Sequence, residues 1–467
     1  MDTLIKNGLI ITADGRFPGS IAIRNGQIAG VFEPGGEPEA KEIVDASGLA
    51  VLPGIIDMHS HHRQGSAKGF EYKDTIHTAT MQCAAGGVTT SVGMPNVTPP
   101  PNSVDLLEKQ YAIYRSDSIV DWNFNPAPTI ANEMPGMAAT GIAAFKIFMV
   151  VDTGRDYPHM PGIGMHDHGK LHEIMQRCAE LTVPLMVHPH DQALMDVIEQ
   201  KFWERGERDA LAYAKAYAAH DGVIWETAIA TLLRLQRAAG CHLHILHTQT
   251  AGSVQLIREA KAAGQKVTCD LNPWALFLGC DWGAIQRLGS YALSYWVPEK
   301  NVPGLWQGVN DGTIDIIATD HAPHTREEKE IGWTDGWKAH TGTPSTQFYL
   351  SMFLTAALEG KLPLERVVEA CSTAPARLFK LDKKGEIRPG FDADLVLVDL
   401  EKEYEIRDEA VLSLVGWSPY AGRKVKGKPV RTIVRGRTVY KDGKVIGEKG
   451  FGKQAKANAA AAVSKAA

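Results

Sequence analysis

In GIIDMHSHHR, residues 54–63, three histidines fall within four positions at the end of an apolar run. Histidines in a packed core usually occur singly, so a cluster points to metal ligation. Side chains alternate along a strand, which puts His59 and His61 on one side and His62 on the other. Asp57, two residues before His59, is placed to orient a ligand histidine. Later apolar runs close on the same kinds of side chain: His188 in VPLMVHP, His247 in HLHILHT and Asp320 in IDIIATDH. Imidazoles and a carboxylate suit zinc or a similar divalent ion.

Lys146 interrupts another apolar run, AAFKIFMV. Burying a lone ammonium is costly, which leaves two readings. In one, the tip reaches solvent or a carboxylate at the strand end. In the other, the amine has taken up carbon dioxide, and the resulting carbamate is an anionic ligand able to bridge two metals.

The elements that carry these residues follow a repeating order. Short apolar, β-branched runs occupy 49–59, 87–94, 118–125, 141–150, 183–189, 242–248, 266–272 and 314–321. Their near-continuous apolar character is that of strands covered on both faces. Between them lie segments with apolar residues at helical spacing, such as KLHEIMQRCAELT (170–182) and SVQLIREAKAAG (253–264). Eight such units predict an α/β fold, a (β/α)8 TIM barrel, in which residues at the C-terminal strand ends converge on one site. The chain ends read differently: short strands with Asn-Gly, Arg-Gly and Asp-Gly turns give a hairpin pattern. They predict a small β-sandwich built from both ends. The expected division is 1–50 and 382–450 for the sandwich, 51–381 for the barrel, and 451–467 for an Ala/Lys-rich tail, helical or frayed.

With 467 residues the chain is long enough for this arrangement. Its net charge of −5, from 49 basic and 54 acidic residues, gives no electrostatic reason to expect nucleic acid or a membrane surface as partner. Six scattered cysteines without a CxxC pair argue against a disulfide framework. Neither a signal peptide nor a long apolar span is visible, and a cytoplasmic location is expected.

Taken together, PGIIDMHSHHR, FKIFM, the histidine of LMVHP, the histidine of ILHTQT and ATDHAPH resemble the amidohydrolase superfamily. The nearest resemblance is to its cyclic-amidase branch of dihydroorotases, allantoinases and hydantoinases. Through GGVTTSVGMPN and GEIRPGFDADLVLVDL it extends over nearly the whole chain. The resemblance implies two divalent ions, most often zinc. His59, His61 and Asp320 would hold the more buried ion, His188 and His247 the other, and carboxylated Lys146 would bridge them. It further implies hydrolysis of a C–N bond in a small cyclic amide by a metal-bridging hydroxide. Asp320 would act as general base and then acid. A homodimer or homotetramer is also implied.

Dihydroorotases carry matching substrate-binding residues at Arg63, Asn96 in GMPN, and His324 in DHAPH. Arginine suits a carboxylate through paired hydrogen bonds. These residues favour a dihydroorotase- or allantoinase-type ureide. Two departures keep a hydantoinase or dihydropyrimidinase acting on a less charged ring or imide open. HPHD follows where relatives have an HAE-type sequence, and CDLNPWAL lacks the histidines common near Trp274. A non-catalytic scaffold like the dihydropyrimidinase-related proteins of neurons is the remote alternative, and it lacks parts of the metal set. His190, His242 and His244 are read as structural, and His159, His166, His168 and His172 as a solvated loop. Residues 325–347, with Trp333 and Trp337, are either a lid or packing.

Overall fold

The computed structural model describes residues 1–150, 162–278, 281–292 and 299–458. Eight short strands form the barrel: β1 (Ile55–Ser60), β2 (Val88–Gly93), β3 (Asp121–Phe124), β4 (Phe145–Phe148), β5 (Leu185–His188), β6 (Leu243–Ile245), β7 (Val267–Leu271) and β8 (Ile316–Ile317). Every residue of these strands is buried, which is why they read as apolar runs without alternation. β1 to β3 form one parallel ladder and β4 to β8 another, both in sequence order. Two seams join them into a ring. The Lys146 N–H donates to the Pro126 carbonyl at 3.0 Å, and the His61 N–H to the His321 carbonyl at 2.7 Å.

Helices follow the strands as the apolar spacing predicts. The segment 170–182 forms helix His168–Leu181, capped at its N-terminus by Asp167 and ending one residue earlier than expected, and 253–264 forms helix Ala251–Ala262, capped by Thr250 and ending two residues earlier. Among the described residues, no helix is long and apolar enough to cross a membrane. Cys83, Cys178, Cys241, Cys269 and Cys371 are buried thiols, and Cys280 lies outside the described residues.

The run 49–59 is two strands rather than one. Ala50–Pro53 pairs antiparallel with Leu395–Val398 in the sandwich, and the barrel strand starts at Ile55. Gly54 is the joint: a Cβ there would stand 2.1 Å from Thr89 Oγ1, so a larger residue would not fit. The sandwich thus reaches Pro53, past the boundary expected at residue 50. Its nine strands come from both chain ends and enclose an apolar cluster that includes Ile10, Ile21, Val51, Leu395 and Ile433. Asn25-Gly26, Arg435-Gly436 and Asp442-Gly443 close its hairpins with positive φ at both positions. Asn7-Gly8 instead marks a register shift inside strand Thr3–Ile11.

Two features tie sandwich and barrel together. The Lys384 ammonium is buried between Asp121 (2.5 Å), Asp394 (2.7 Å) and Asp392 (3.0 Å). Residues 453–458, expected as part of a tail, run extended beside the start of β3. There the Trp122 N–H donates to the Lys453 carbonyl and the Ala455 N–H to the Trp122 carbonyl. Asn123 Nδ2 then binds the Ala455 carbonyl at 2.6 Å. These backbone bonds use the open edge of β3 where a helical extension could not.

Candidate active site

At the C-terminal ends of β1 and β5 and just past those of β6 and β8, four imidazoles and a carboxylate converge. His59 Nε2 and His61 Nε2 stand 3.1 and 3.2 Å from one oxygen, Asp320 Oδ1. The His61 contact is a hydrogen bond, the His59 contact lacks hydrogen-bond alignment, and both rings face the same carboxylate oxygen. His247 Nε2 is 4.0 Å from the other oxygen, Asp320 Oδ2, and 3.3 Å from His188 Nδ1. All five residues are buried. A strand irregularity between Asp57 and Ser60 accompanies the turn of His59 into this site.

Lys146 lies on β4 with no exposed surface, and among the described residues its Nζ has no hydrogen-bond partner. Solvent does not reach it, which removes the first part of the exposed-tip reading. Its Nζ sits 4.0 Å from the centroid of the Phe148 ring, and that ring is 5.5 Å from His188. Burial drives the Lys146 amine down to about 7, against the attraction of Asp320 and Asp270. Burial also lowers His247 to about 3 and His61 well below the usual range, so both favour the neutral form that ligates metals. For Asp320 burial works the other way, yet His59, His61 and His247 hold its carboxyl well below the ordinary range.

Three residues of this region adopt left-handed backbone: Arg63 (φ 65°), His247 (φ 43°) and Asp320 (φ 44°). Such conformations cost on the order of 1–3 kcal/mol each and gather where a side chain must be aimed.

Beside the histidines lies a cationic group. Arg63 Nη2 donates to His324 Nε2 at 2.9 Å, and Arg63 Nε to the Pro323 carbonyl at 3.2 Å. Lys73 Nζ, also buried, is 2.9 Å from His324 Nδ1 and 2.7 Å from Glu328 Oε1. Glu328 is the carboxylate acting on both Lys73 and the fully buried Lys329. Asn96, after β2, has a buried Oδ1 with no partner among the described residues.

Comparisons with known proteins bear on this arrangement. A model described as "Amidohydrolase family" matches residues 50–439. The chain belongs to the amidohydrolase family. It is 32% identical over 462 residues to an L-hydantoinase of Paenarthrobacter aurescens, covering 97% of each chain. It is also 32% identical over 431 residues to a dihydroorotase of Methanothermobacter thermautotrophicus, covering 91% of this chain and 92% of that one. A solved L-hydantoinase from Arthrobacter aurescens superposes with a TM-score of 0.91 at 30% identity, over 97% of this chain and 99% of the other. That neighbour shares the barrel with its β-sandwich.

In this amidohydrolase the other expected roles fall out as follows. His62 turns away and is held by Tyr114 Oη (2.6 Å) and Ser91 Oγ (2.9 Å). Asp57 does not touch the His59 ring. It accepts from the His59 backbone N–H at 3.3 Å and from Thr319 Oγ1 at 2.6 Å. The His59 ring is instead met by Asp270, which sequence reasoning missed: Asp270 Oδ2 is 3.4 Å from His59 Nδ1. The available signal was a carboxylate inside the buried strand VTCDL. His242 and His244 both bind Thr268 Oγ1 at 2.8 Å, as structural histidines would. His190 is buried, with ring contacts to His188, Tyr217 and Trp225. Among the described residues His166, His168 and His172 enter no ligand cluster, and His159 lies outside them. Trp337 is packing: its indole donates to Glu199 at 2.9 Å.

Proposed function

We propose that this chain hydrolyses a cyclic amide with two divalent ions, zinc in the first instance, held by His59, His61, Lys146, His188, His247 and Asp320. The observation that carries this reading is the pair of imidazole nitrogens facing one Asp320 oxygen, beside a buried lysine amine with no hydrogen-bond partner. Those donors fit a divalent centre, and a carbamate on Lys146 would add the anion that such a centre takes. Bound there, the ions would lower the pKa of water to give a nucleophile near neutral pH and polarise the carbonyl. The chain's own part is to orient, to exclude water and to move a proton. Asp320 accepts the proton of the attacking water at a carboxylate oxygen and delivers it to the departing ring nitrogen. The product is a carboxylate with a free amide or ureido group.

For the substrate, Arg63, His324 and the buried Oδ1 of Asn96 support a ring with an acidic or strongly polar substituent. Arg63, Lys73 and Lys329 lie near Glu328, where burial and mutual repulsion bring Lys73 down to about 8 and Lys329 well below the lysine range, so Arg63 is the cation that stays charged for an anion. This favours a dihydroorotase- or allantoinase-type ureide. The structural likeness to a hydantoinase supports the second reading, a less charged ring. Parallel rates on dihydroorotate, allantoin, hydantoin and dihydrouracil test the two. Preference for dihydroorotate supports the first, and preference for hydantoin or dihydrouracil overturns it. A cytoplasmic homodimer or homotetramer is part of the proposal, checked by sedimentation of the loaded enzyme.

A further inference from the structure

Asp270, on β7, is assigned no part in the mechanism above, yet its carboxylate reaches three histidines. Its Oδ2 lies 3.4 Å from His59 Nδ1 and 3.7 Å from His244 Nε2. Its Oδ1 accepts the backbone N–H of His247 at 2.5 Å. It has no exposed surface, so no water competes for these contacts.

We infer that Asp270 is a positioning residue that fixes the tautomer of His59 and the aim of His247, and so prepares both halves of the centre from one side chain. This rests on the metal-centre reading given above. An ionised carboxylate only accepts, so the ring proton of His59 sits on Nδ1, facing Asp270. In the neutral ring, the form that ligates a metal, Nε2 then carries the lone pair, and Nε2 is the nitrogen that faces Asp320 Oδ1. Just past β6 the same carboxylate clamps the N–H of His247 in its left-handed conformation, φ 43°, with the ring beside His188. His244 completes the set. Its Nδ1 is 2.8 Å from Thr268 Oγ1, which leaves Nε2 to carry the proton toward Asp270.

Asp270→Asn separates tautomer control from bulk, since the amide is isosteric. Its oxygen can keep the His247 N–H, but its NH2 then faces His59 Nδ1. That forces the His59 proton onto Nε2 and removes the lone pair from the ligating position, the logic by which an amide misdirects a histidine in a catalytic triad. The experiment loads wild type and D270N with zinc in bicarbonate, counts ions per chain by mass spectrometry, and measures affinities by chelator competition. Melting of the metal-free proteins runs alongside. The expected result is 10–100-fold weaker binding of one ion in D270N, with the other ion largely kept and the metal-free fold melting near wild type. Wild-type affinity for both ions in D270N would overturn the inference while leaving the metal centre standing. A wild type that binds no zinc would sink the metal centre and this inference with it. If D270N does not fold, side-chain 15N shifts of histidine in the wild-type holoenzyme decide. A proton on His59 Nδ1 supports the inference, and one on Nε2 refutes it.

Discussion

Replacing Lys146 by methionine separates a ligand from a mere structural lysine, because the two roles predict opposite effects on stability and rate. In the metal-free protein the Lys146 amine is fully buried without a hydrogen bond. An unsatisfied buried polar group costs ~1–3 kcal/mol, and more when charged. Asp320 and Asp270 draw the amine toward its charged form, but burial outweighs them and leaves it at about 7. Methionine has a similar reach, and its sulfur makes favourable contacts with aromatic rings such as that of Phe148, over which the Lys146 Nζ sits. Metal-free K146M should therefore be more stable than wild type by ~1–3 kcal/mol. The pH dependence has a definite sign. The folded lysine holds its proton less tightly than the unfolded one, so wild-type stability rises with pH between about 7 and the ordinary lysine value. The advantage of K146M is then full below that window and fades as pH climbs through it. The loaded variant should lose more than ~100-fold in rate, beyond the 10–100-fold typical of losing a partner outside the ligand shell. Chelated proteins melted by circular dichroism across the window, with ring-opening rates of the loaded proteins, measure both. K146M that keeps both ions and the wild-type rate would refute the ligand role.

Arg63→Met should raise KM for an acidic ring about 10–100-fold, the worth of a charged hydrogen bond at ~1.5–3 kcal/mol, and change an uncharged ring little. Equal effects on both rings in steady-state kinetics would remove the carboxylate role. Lys384→Met leaves Asp394 buried without its cation and Asp121 with Arg435 alone, and should cost ~3–5 kcal/mol in urea unfolding. A variant of wild-type stability would show that the buried cluster does not join barrel to sandwich. Gly54→Ala drives a methyl group to within 2.1 Å of Thr89 Oγ1 and should cost ~1–3 kcal/mol. An unchanged melting temperature would contradict the close approach of β1 and β2.

The barrel was legible because each of its strands is buried on both faces and leaves a continuous apolar run. The convergence of these side chains was legible because polar residues that end the strands of a closed barrel gather at one mouth. What escaped were partners made only by the tertiary fold. Asp270 meets His59 across 211 positions, and Lys73 meets His324 across 251. The split at Gly54 was hidden because Pro53 and Gly54 sit inside an unbroken apolar stretch, and only the neighbouring Thr89 shows why glycine is needed there. The docking of 453–458 escaped for a different reason. Its bonds are made by backbone groups, which composition does not reveal.

Metal dependence of ring opening tests the proposed chemistry most directly. Purified chain loaded with zinc in bicarbonate would be assayed on the four rings, stripped with a chelator, assayed again and reloaded, with ions per chain counted at each stage. The predicted result is two ions per chain with acid release on at least one ring, loss of both on stripping, and recovery on reloading. Ring opening that survives complete removal of the metal would contradict the reaction proposed for His59, His61 and Asp320.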